Sequence, residues 1–238
     1  MADDQAVETP VQSEETSASS NSSSKGAGLR FIKSKGVCRK CRRVGMKLFL
    51  KGDRCAAAKC SFTNRSYAPG QHGQKRSRIS DYGRHLIEKQ KLSYVYGLNE
   101  RQLRTLVSKA SKLQENTEEK IVQLLETRLD SMIFVLGWAR SKQEARKAVV
   151  AGHFLVNNKK VTKPGYNVRE NDEIMISDRA LKSKLFIETI MPLAKERQIP
   201  AWIKKTEETK AKMIRLPKID EVNIFNIQLP LVIEFYSR

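Results

Sequence analysis

This chain of 238 residues lacks a long apolar run and has only three histidines. Its longest apolar run, residues 132–136, is far below the roughly 20 residues that a membrane-spanning helix needs. The N-terminus lacks the basic and then apolar stretch of a secretory signal. No histidine has a serine–acid or cysteine partner at interpretable spacing. These absences predict a cytoplasmic protein that is not an enzyme and has neither a membrane partner nor a small-molecule substrate.

Acidic residues are scarce beside basic ones. The chain has 26 acids against 45 bases, a formal net charge of +19. Five of the acids lie before the first base, Lys25, so residues 25–238 carry a net charge of +24. A polyanion would relieve the self-repulsion of such a chain, and a pI of 9.9 is typical of nucleic-acid-binding proteins. A soluble protein with a well-solvated basic surface is the alternative.

The composition first divides the N-terminal half into three segments. Residues 1–28 are acidic and Ser-rich with almost no large apolar side chain, so we predict a disordered extension. Residues 29–79 are basic, cysteine-bearing and rich in loops, with little regular helix. Residues 80–126 have apolar residues at helical spacing and predict a helical domain. Its helices are predicted to start at Ser80, Asn99 and Asn116.

The second half predicts a small α/β module followed by a tail. A capping box at Ser141 and Glu144 starts a helix that ends near Gly152, and short strands with period two follow. We therefore predict a helix-turn-helix and a small antiparallel sheet within residues 127–190. The tail, residues 191–238, is predicted to pack back on the helical domain, with a strand at residues 231–236. The predicted fold class is α+β.

Four cysteines form two close pairs. Cys38 and Cys41 are separated by two residues, Cys55 and Cys60 by four, and thirteen residues lie between the pairs. In a cytosolic chain such pairs favour a metal over a disulfide, and four thiolates suit a closed tetrahedral zinc site. We predict one structural zinc ion. A disulfide, four unliganded thiols or an iron–sulfur cluster are the alternatives.

Two neighbouring stretches carry the chemistry of phosphate binding. Bases crowd the cysteines, and we expect Arg39, Lys40, Arg42 and Arg43 to face phosphates. Residues 64–78, which we call the glycine loop, then combine glycines with amides, a histidine and cations. Glycines let backbone N–H groups approach phosphate oxygens closely. An ordinary mobile basic loop is the alternative interpretation.

These motifs together resemble a known family. Residues 48–60 and the run from Tyr67 to Leu92, which contains PGQHGQ and EKQKL, resemble the N-terminal part of the bacterial-type small-subunit ribosomal protein of the S-four family. Residues 126–161, beginning ETRLDSMIFVLG, resemble that family's namesake RNA-binding module. The final residues IEFYSR are similar to the family's C-terminus. The resemblance covers about residues 29–238 and leaves the acidic extension outside it.

The resemblance implies a structural constituent of the small ribosomal subunit, in a bacterial or, as the alternative, a plastid ribosome. Such a protein binds the 5′ domain of small-subunit rRNA, nucleates assembly of the body, and contributes to translational accuracy with ribosomal protein S-five. It lies near the channel through which mRNA enters. Some members bind zinc through four cysteines. Matching positions predict further RNA contacts at Gln71, His72, Gln74, Lys75, Arg76, Arg78, Tyr82, Arg84, Lys89, Ser141, Lys142, Arg146 and His153.

Three other classes of function remain as alternatives. An RNA-modifying enzyme would need a catalytic domain, and no acid–base constellation stands outside the module. A DNA-binding regulator would use the helix-turn-helix in a major groove, usually as a dimer with fewer cations elsewhere. A protein-interaction adaptor is the third. We expect the cysteine region, the glycine loop and the module to clamp an rRNA junction together, because structured RNA is recognised by backbone and shape.

Overall fold

The structure is a computed structural model, and it describes residues 36–75, 78–113, 116–184, 186–222, 224 and 226–237. The predicted disordered extension, residues 1–28, and the predicted RNA contact Arg76 lie outside the described residues. In the described part, no helix is long and apolar enough to cross a membrane.

Helices dominate the N-terminal half. The short α1 (Val37–Val44), α2 (Asp53–Ala56) and α3 (Ser61–Asn64) precede the longer α4 (Asp81–Tyr96), α5 (Glu100–Ser111) and α6 (Thr117–Glu126). These short helices differ from the prediction of little regular helix before residue 80. The stretch VCRKCRRV contains no helix breaker, however, and α1 ends where Gly45 adopts a positive φ of 77°.

The predicted helix starts of this half carry the expected caps. Ser80 accepts a hydrogen bond from the N–H of Gly83 at 3.2 Å. Asn99 and Gln102 form a reciprocal capping box. The side chain of Asn116 accepts from the N–H of Glu118. Local hydrogen-bonding chemistry therefore fixes where these helices begin.

The module begins with the helix pair α7 (Leu129–Val135) and α8 (Lys142–Val150), which pack against each other. The strands β1 (Phe154–Val156), β2 (Lys159–Lys160) and β3 (Glu173–Ile176) follow. Asn157 and Asn158 join β1 to β2 with φ values of 49° and 63°, as a tight two-residue hairpin turn requires. The predicted helix-turn-helix and small sheet are confirmed.

The sheet is larger than the sequence indicated. After α9 (Asp178–Leu181), a π-helical turn (Phe186–Ile190) and α10 (Met191–Glu196), the chain forms a hairpin of β4 (Ile203–Glu207) and β5 (Lys210–Met213). The hairpin joins β3, giving a five-stranded antiparallel sheet in the order β2-β1-β3-β5-β4. The β4 sequence IKKTE has no alternation of apolar and polar residues, so sequence patterning missed the hairpin.

Two hydrophobic cores organise the described residues. The module core contains buried residues between positions 129 and 213, including Trp138, Phe154 and Trp202. The helical core contains buried residues between 37 and 125 together with Ile227, Leu229 and Val232. The predicted boundary at residue 190 does not match this division. Residues up to 213 bury their apolar side chains in the module, and only the last part of the tail returns to the helical core.

The predicted C-terminal strand is wrong. Residues 229–237 form α11 (Leu229–Ser237), which packs against α4. The run LVIEFY is rich in β-branched and aromatic residues, which favour strands when taken alone. Leu229 and Val232 are three residues apart and both buried, the spacing of one helix face. Packing against α4 thus decides the conformation of this segment.

Candidate nucleic-acid interface

A buried polar cluster lies between the helical core and the module. Lys142, the first residue of α8, places its Nζ 3.0 Å from Oε1 of Glu126 and 3.6 Å from the ring centroid of Tyr96. The Tyr96 hydroxyl donates to the same carboxylate oxygen at 2.6 Å. The side chains of Lys142 and Glu126 are only 11% and 3% exposed. Lys142 is therefore held inside the protein, away from the solvent where an RNA phosphate would lie.

Burial also sets the ionisation of this cluster. It lowers the pKa of Lys142, while the charge of Glu126 opposes that shift. Burial and the adjacent Glu126 raise the pKa of Tyr96 well above its usual value. The tyrosine accordingly stays a hydrogen-bond donor, and the lysine and glutamate compensate each other in a region of low dielectric.

A second contact joins α8 to the end of α4. Arg146 donates from Nη1 to the carbonyl oxygen of Gly97 at 3.2 Å, and it lies 4.0 Å from Asp130. Asp130 is itself buried and bound by Arg128 through two hydrogen bonds of 3.0 and 2.7 Å. Arg146 keeps part of its guanidinium exposed. It both braces the module and presents charge to solvent.

The other predicted contacts of the module have mixed surroundings. Ser141 is buried and caps α8 by accepting from the N–H of Glu144 at 3.2 Å. The predicted capping box is not reciprocal, because Glu144 accepts instead from the backbone N–H of Arg140. His153 is half-buried, and burial followed by the charges of Arg179 and Lys160 lowers its pKa. A neutral His153 is therefore favoured at neutral pH.

The glycine loop is tied to α1 by one arginine. Arg42 donates from Nε to the carbonyl of Tyr67 at 2.9 Å and from Nη2 to that of Ala68 at 3.3 Å. Its guanidinium also lies 4.8 Å from the Tyr67 ring centroid. Gly73 is packed so closely that a Cβ there would lie 1.9 Å from the Ala68 carbonyl oxygen. The loop thus has a defined shape that a larger residue would disrupt.

Most predicted contacts in and around this loop face solvent. The cations on α1 divide in two: Arg39 and Arg43 are exposed, whereas Lys40 lies 4.6 Å from the Tyr94 ring centroid. The exposed predicted residues of the loop and the segment after it are Gln71, His72, Gln74, Lys75 and Arg78. These five side chains lie close together in sequence and are exposed to a polyanion.

The start of α4 presents one aromatic and one cationic residue. Tyr82 is 59% exposed, and its ring centroid lies 5.8 Å from that of Phe235. Arg84 is exposed beside Asp81 at 3.6 Å. Lys89 differs, because it is buried, bonds to Glu100 at 2.7 Å and lies over the Phe235 ring. Like Lys142, Lys89 has its charge satisfied within the protein.

The four cysteines are free and their thiols influence one another. Cys41, Cys55 and Cys60 are buried, and Cys38 is half-buried. Burial raises the pKa of Cys41, and the charges of the other three cysteines raise it further. Burial opposes ionisation of Cys60, but N–H groups of Thr63 and Phe62 outweigh it and lower that pKa. The donor set suits zinc chemically, with Cys38 and Cys41 spaced to share one face of α1.

In the described residues, the cysteine side chains are not arranged as the ligands of one metal ion. Among the residues that the structure describes, no three His, Cys, Asp or Glu side chains are arranged to hold a metal ion. The N–H of Lys51 instead donates to Sγ of Cys55 at 3.4 Å. Coordination of one ion by all four sulfurs would require their side chains to reorient.

Sequence reasoning missed a basic groove along α5. The groove has a volume of about 480 Å³. Its polar lining comprises Asn99, Arg101, Gln102, Thr105, Lys109, Arg128 and Asn167. Arg101, Thr105 and Lys109 follow one another at four-residue spacing, so they share one face of the helix. That spacing is visible in the sequence and was the available signal.

Comparison with known proteins gives the class first. Residues 33–126 match the family model described as ribosomal protein S4/S9 N-terminal domain, and residues 127–174 match the S4 domain. The boundary between the two matches lies where α6 ends and the module begins. A chain with both domains in this order is of the ribosomal S4 class.

Relatives that match over nearly their whole length identify one family within this class. The small ribosomal subunit protein uS4 of Thermodesulfovibrio yellowstonii is 44% identical over 203 residues, covering 85% of this chain and 97% of the relative. That of Heliobacterium modesticaldum is 45% identical over the same length and with the same coverage. That of Clostridium tetani is 43% identical over 205 residues, with 84% and 96% coverage. The chain belongs to the uS4 family of small-subunit ribosomal proteins, which are structural components of the ribosome.

Proposed function

We propose that this protein binds the 5′ domain of small-subunit rRNA early in assembly and nucleates the body of the subunit. Family membership supports this role, and the arrangement of charge supports its mechanism. Exposed cations lie on α1, in the glycine loop, on α4 and along the α5 groove. A polyanion that contacts several of these elements at once would neutralise most of the excess charge.

The observation that carries the proposal is the direct contact between the module and the helical core. The Lys142–Glu126–Tyr96 cluster and the bond from Arg146 to Gly97 connect α8 with α4 and α6. Cations fixed on two connected bodies keep their separation, so they select an RNA of matching shape. Recognition by shape and backbone is the mode expected for folded RNA, whose deep major groove side chains cannot read.

Footprinting on small-subunit rRNA tests this function. The full-length protein should protect several helices that meet at one junction of the 5′ domain. Its affinity should fall steeply with salt, since each neutralised phosphate releases counterions. Protection of a single helix, with little salt dependence of the affinity, would contradict binding to several helices at once. Competition with duplex DNA separates the proposal from a DNA-binding regulator.

The contribution to accuracy is a proposal of the same kind. We infer that the protein contacts ribosomal protein S-five and lies beside the path of mRNA in the assembled subunit. The family resemblance supports this placement, and the exposed residues near α11 offer a surface for a protein neighbour. Crosslinking within purified subunits, followed by mass spectrometry, should join residues of the tail to S-five. Crosslinks to unrelated proteins alone would contradict it.

We also propose that Cys38, Cys41, Cys55 and Cys60 bind one structural zinc ion. The four thiols support the proposal by their chemistry: three are buried, and all four lie on or directly beside short helices. Bound zinc would stabilise a segment that contributes few buried apolar side chains, among them Val37, Leu48 and Leu50. Metal analysis of protein purified without chelator should give one zinc per chain, and Cys55→Ser should lower that ratio. Protein that is fully folded, bound to rRNA and free of metal would refute the proposal.

A further inference from the structure

The five-stranded sheet has one buried and one solvent-facing side. Alternate residues such as Phe154, Val156 and Ile174 point into the module core. Their neighbours Leu155 and Met175 are only half-buried and belong to neither core in the described residues. Because successive side chains of a strand point to opposite sides, Leu155 and Met175 mark the solvent-facing side.

Strand register shows which residues share that side. Lys160 of β2 lies opposite Leu155, and Leu155 lies opposite Met175 of β3. Lys212 of β5 lies opposite Glu173, two residues before Met175 on the same strand. Lys204 of β4 in turn lies opposite Lys212. We call Lys160, Lys204 and Lys212 the lysine face.

The lysine face carries three positive charges, and Lys212 has the carboxylate residue Glu173 opposite it on β3. All three lysines are exposed, and none makes an ion pair within residues that the structure describes. Lys210, on the same strand as Lys212, is by contrast paired with Glu207 at 3.0 Å. Like charges directly opposite each other on a sheet are destabilising, as at Lys204 and Lys212. An external anion would remove that cost.

Protection of sheet edges does not account for these lysines. Lysines on edge strands discourage pairing with other chains, which explains Lys160 on β2 and Lys204 on β4. Lys212 lies on β5, between β3 and β4, where both edges are already paired. Its charge is therefore available for another purpose.

The spacing and the surroundings favour a nucleic-acid backbone. At about 4.8 Å between strands, Lys160 and Lys204 stand about 19 Å apart across the sheet. His153, a predicted RNA contact, lies two residues before Leu155. Burial lowers its pKa, and the nearby charges of Arg179 and Lys160 lower it further. Lysine is a point charge on a flexible stem, suited to phosphates rather than to reading bases.

We propose that the solvent-facing side of this sheet is a further RNA-binding surface, on which Lys160, Lys204 and Lys212 contact phosphates of small-subunit rRNA. The inference extends the proposed function, on which it rests, from the module's helices to the far edge of the sheet. RNA is the proposed occupant; an acidic protein neighbour would instead protect these lysines only in the assembled subunit.

The test compares two triple variants of the full-length protein. One replaces Lys160, Lys204 and Lys212 by Gln; the control replaces the exposed Lys112, Lys184 and Lys218 by Gln. Affinity for full-length small-subunit rRNA is measured between about 50 and 200 mM salt. We expect the slope of log K against log salt to become shallower by about 2 to 3 in the first variant, since each phosphate contact contributes about 0.7 to 0.9. The control should keep the wild-type slope.

A second readout locates the contacts directly. Acetylation of lysines, read by mass spectrometry, should be slowed by rRNA at all three positions of the lysine face. The thermal midpoint of the unbound variant should change little, because removing the repulsion between Lys204 and Lys212 offsets the loss of the attraction between Lys212 and Glu173. An unchanged slope overturns the inference, as does protection that needs the assembled subunit and not rRNA alone. Wild-type protein that fails to bind rRNA would instead refute the proposed function.

Discussion

Replacing Lys142 by Met tests whether this residue braces the fold or contacts RNA. Lys142→Met keeps most of the aliphatic volume over the Tyr96 ring and removes the ammonium that Glu126 needs. Both charged side chains are nearly excluded from solvent, and Oε2 of Glu126 already lacks a hydrogen-bond partner in the described residues. Removing one partner of a buried ion pair costs about 3–5 kcal/mol, because a buried charge is left uncompensated.

The expected effect is large enough to measure by thermal unfolding. For a chain of this size, 1 kcal/mol lowers the midpoint by about 2–4 °C, so Lys142→Met should lower it by roughly 6–20 °C. The exposed Lys163→Met is the matched control and should change the midpoint little. The double variant Lys142→Met, Glu126→Gln removes both charges and keeps an acceptor for Tyr96. It should recover most of the loss, because no buried charge is then left without a partner.

RNA binding supplies the decisive comparison. At a temperature where the variant stays folded, Lys142→Met should bind rRNA with the wild-type salt slope, because the buried Nζ neutralises no phosphate. A slope shallower by about one, with unfolding unchanged, would refute the structural role and restore Lys142 as an RNA contact.

Three further predictions concern separate parts of the protein. Gly73→Ala places a Cβ 1.9 Å from the Ala68 carbonyl oxygen, so the glycine loop must shift. We expect weaker rRNA binding and faster proteolysis at residues 67–75. Wild-type behaviour in both assays would contradict the defined shape of the loop. Val232→Ala should destabilise the protein by about 1–3 kcal/mol in urea unfolding, because Val232 is fully buried between α11 and the helical core, whereas the same change at the exposed Val150 should cost much less. Burial opposes ionisation of Glu144, but its bonds to Arg140 prevail and lower its pKa below the usual 4.5. A carboxylate with a lowered pKa stabilises the fold above pH 4.5, and this effect is lost as the pH falls through the pKa of the folded state. Glu144→Gln should therefore make the free energy of unfolding fall less steeply at acid pH. An unchanged pH dependence would count against the ion pair between Glu144 and Arg140.

Local sequence signals predicted the helix starts and the first hairpin. Ser80, Asn99 and Asn116 cap helices because their side chains reach N–H groups two or three residues away. Asn157 and Asn158 form a tight turn because asparagine tolerates positive φ. These features depend on neighbours in sequence, so pattern reasoning was sufficient for them.

The candidate site was predictable only in part. Exposed cations of the glycine loop and of α1 follow from composition, and they remain predicted contacts. Lys142 and Lys89 match positions expected to bind RNA, yet each pairs with a carboxylate from another helix. Partners 16 and 11 residues away do not appear in any local pattern. The α5 groove and the lysine face likewise combine residues from separate elements.

Composition alone determined that this protein is strongly basic, which favours an anionic partner, and that its apolar runs are short. Only the tertiary structure decided which cations remain free to meet that partner, and whether residues 229–237 would be helix or strand. The physical reason is the same in both cases. Burial and ion pairing depend on which surfaces the folded chain brings together, and packing against α4 outweighs the local preference of a short apolar run.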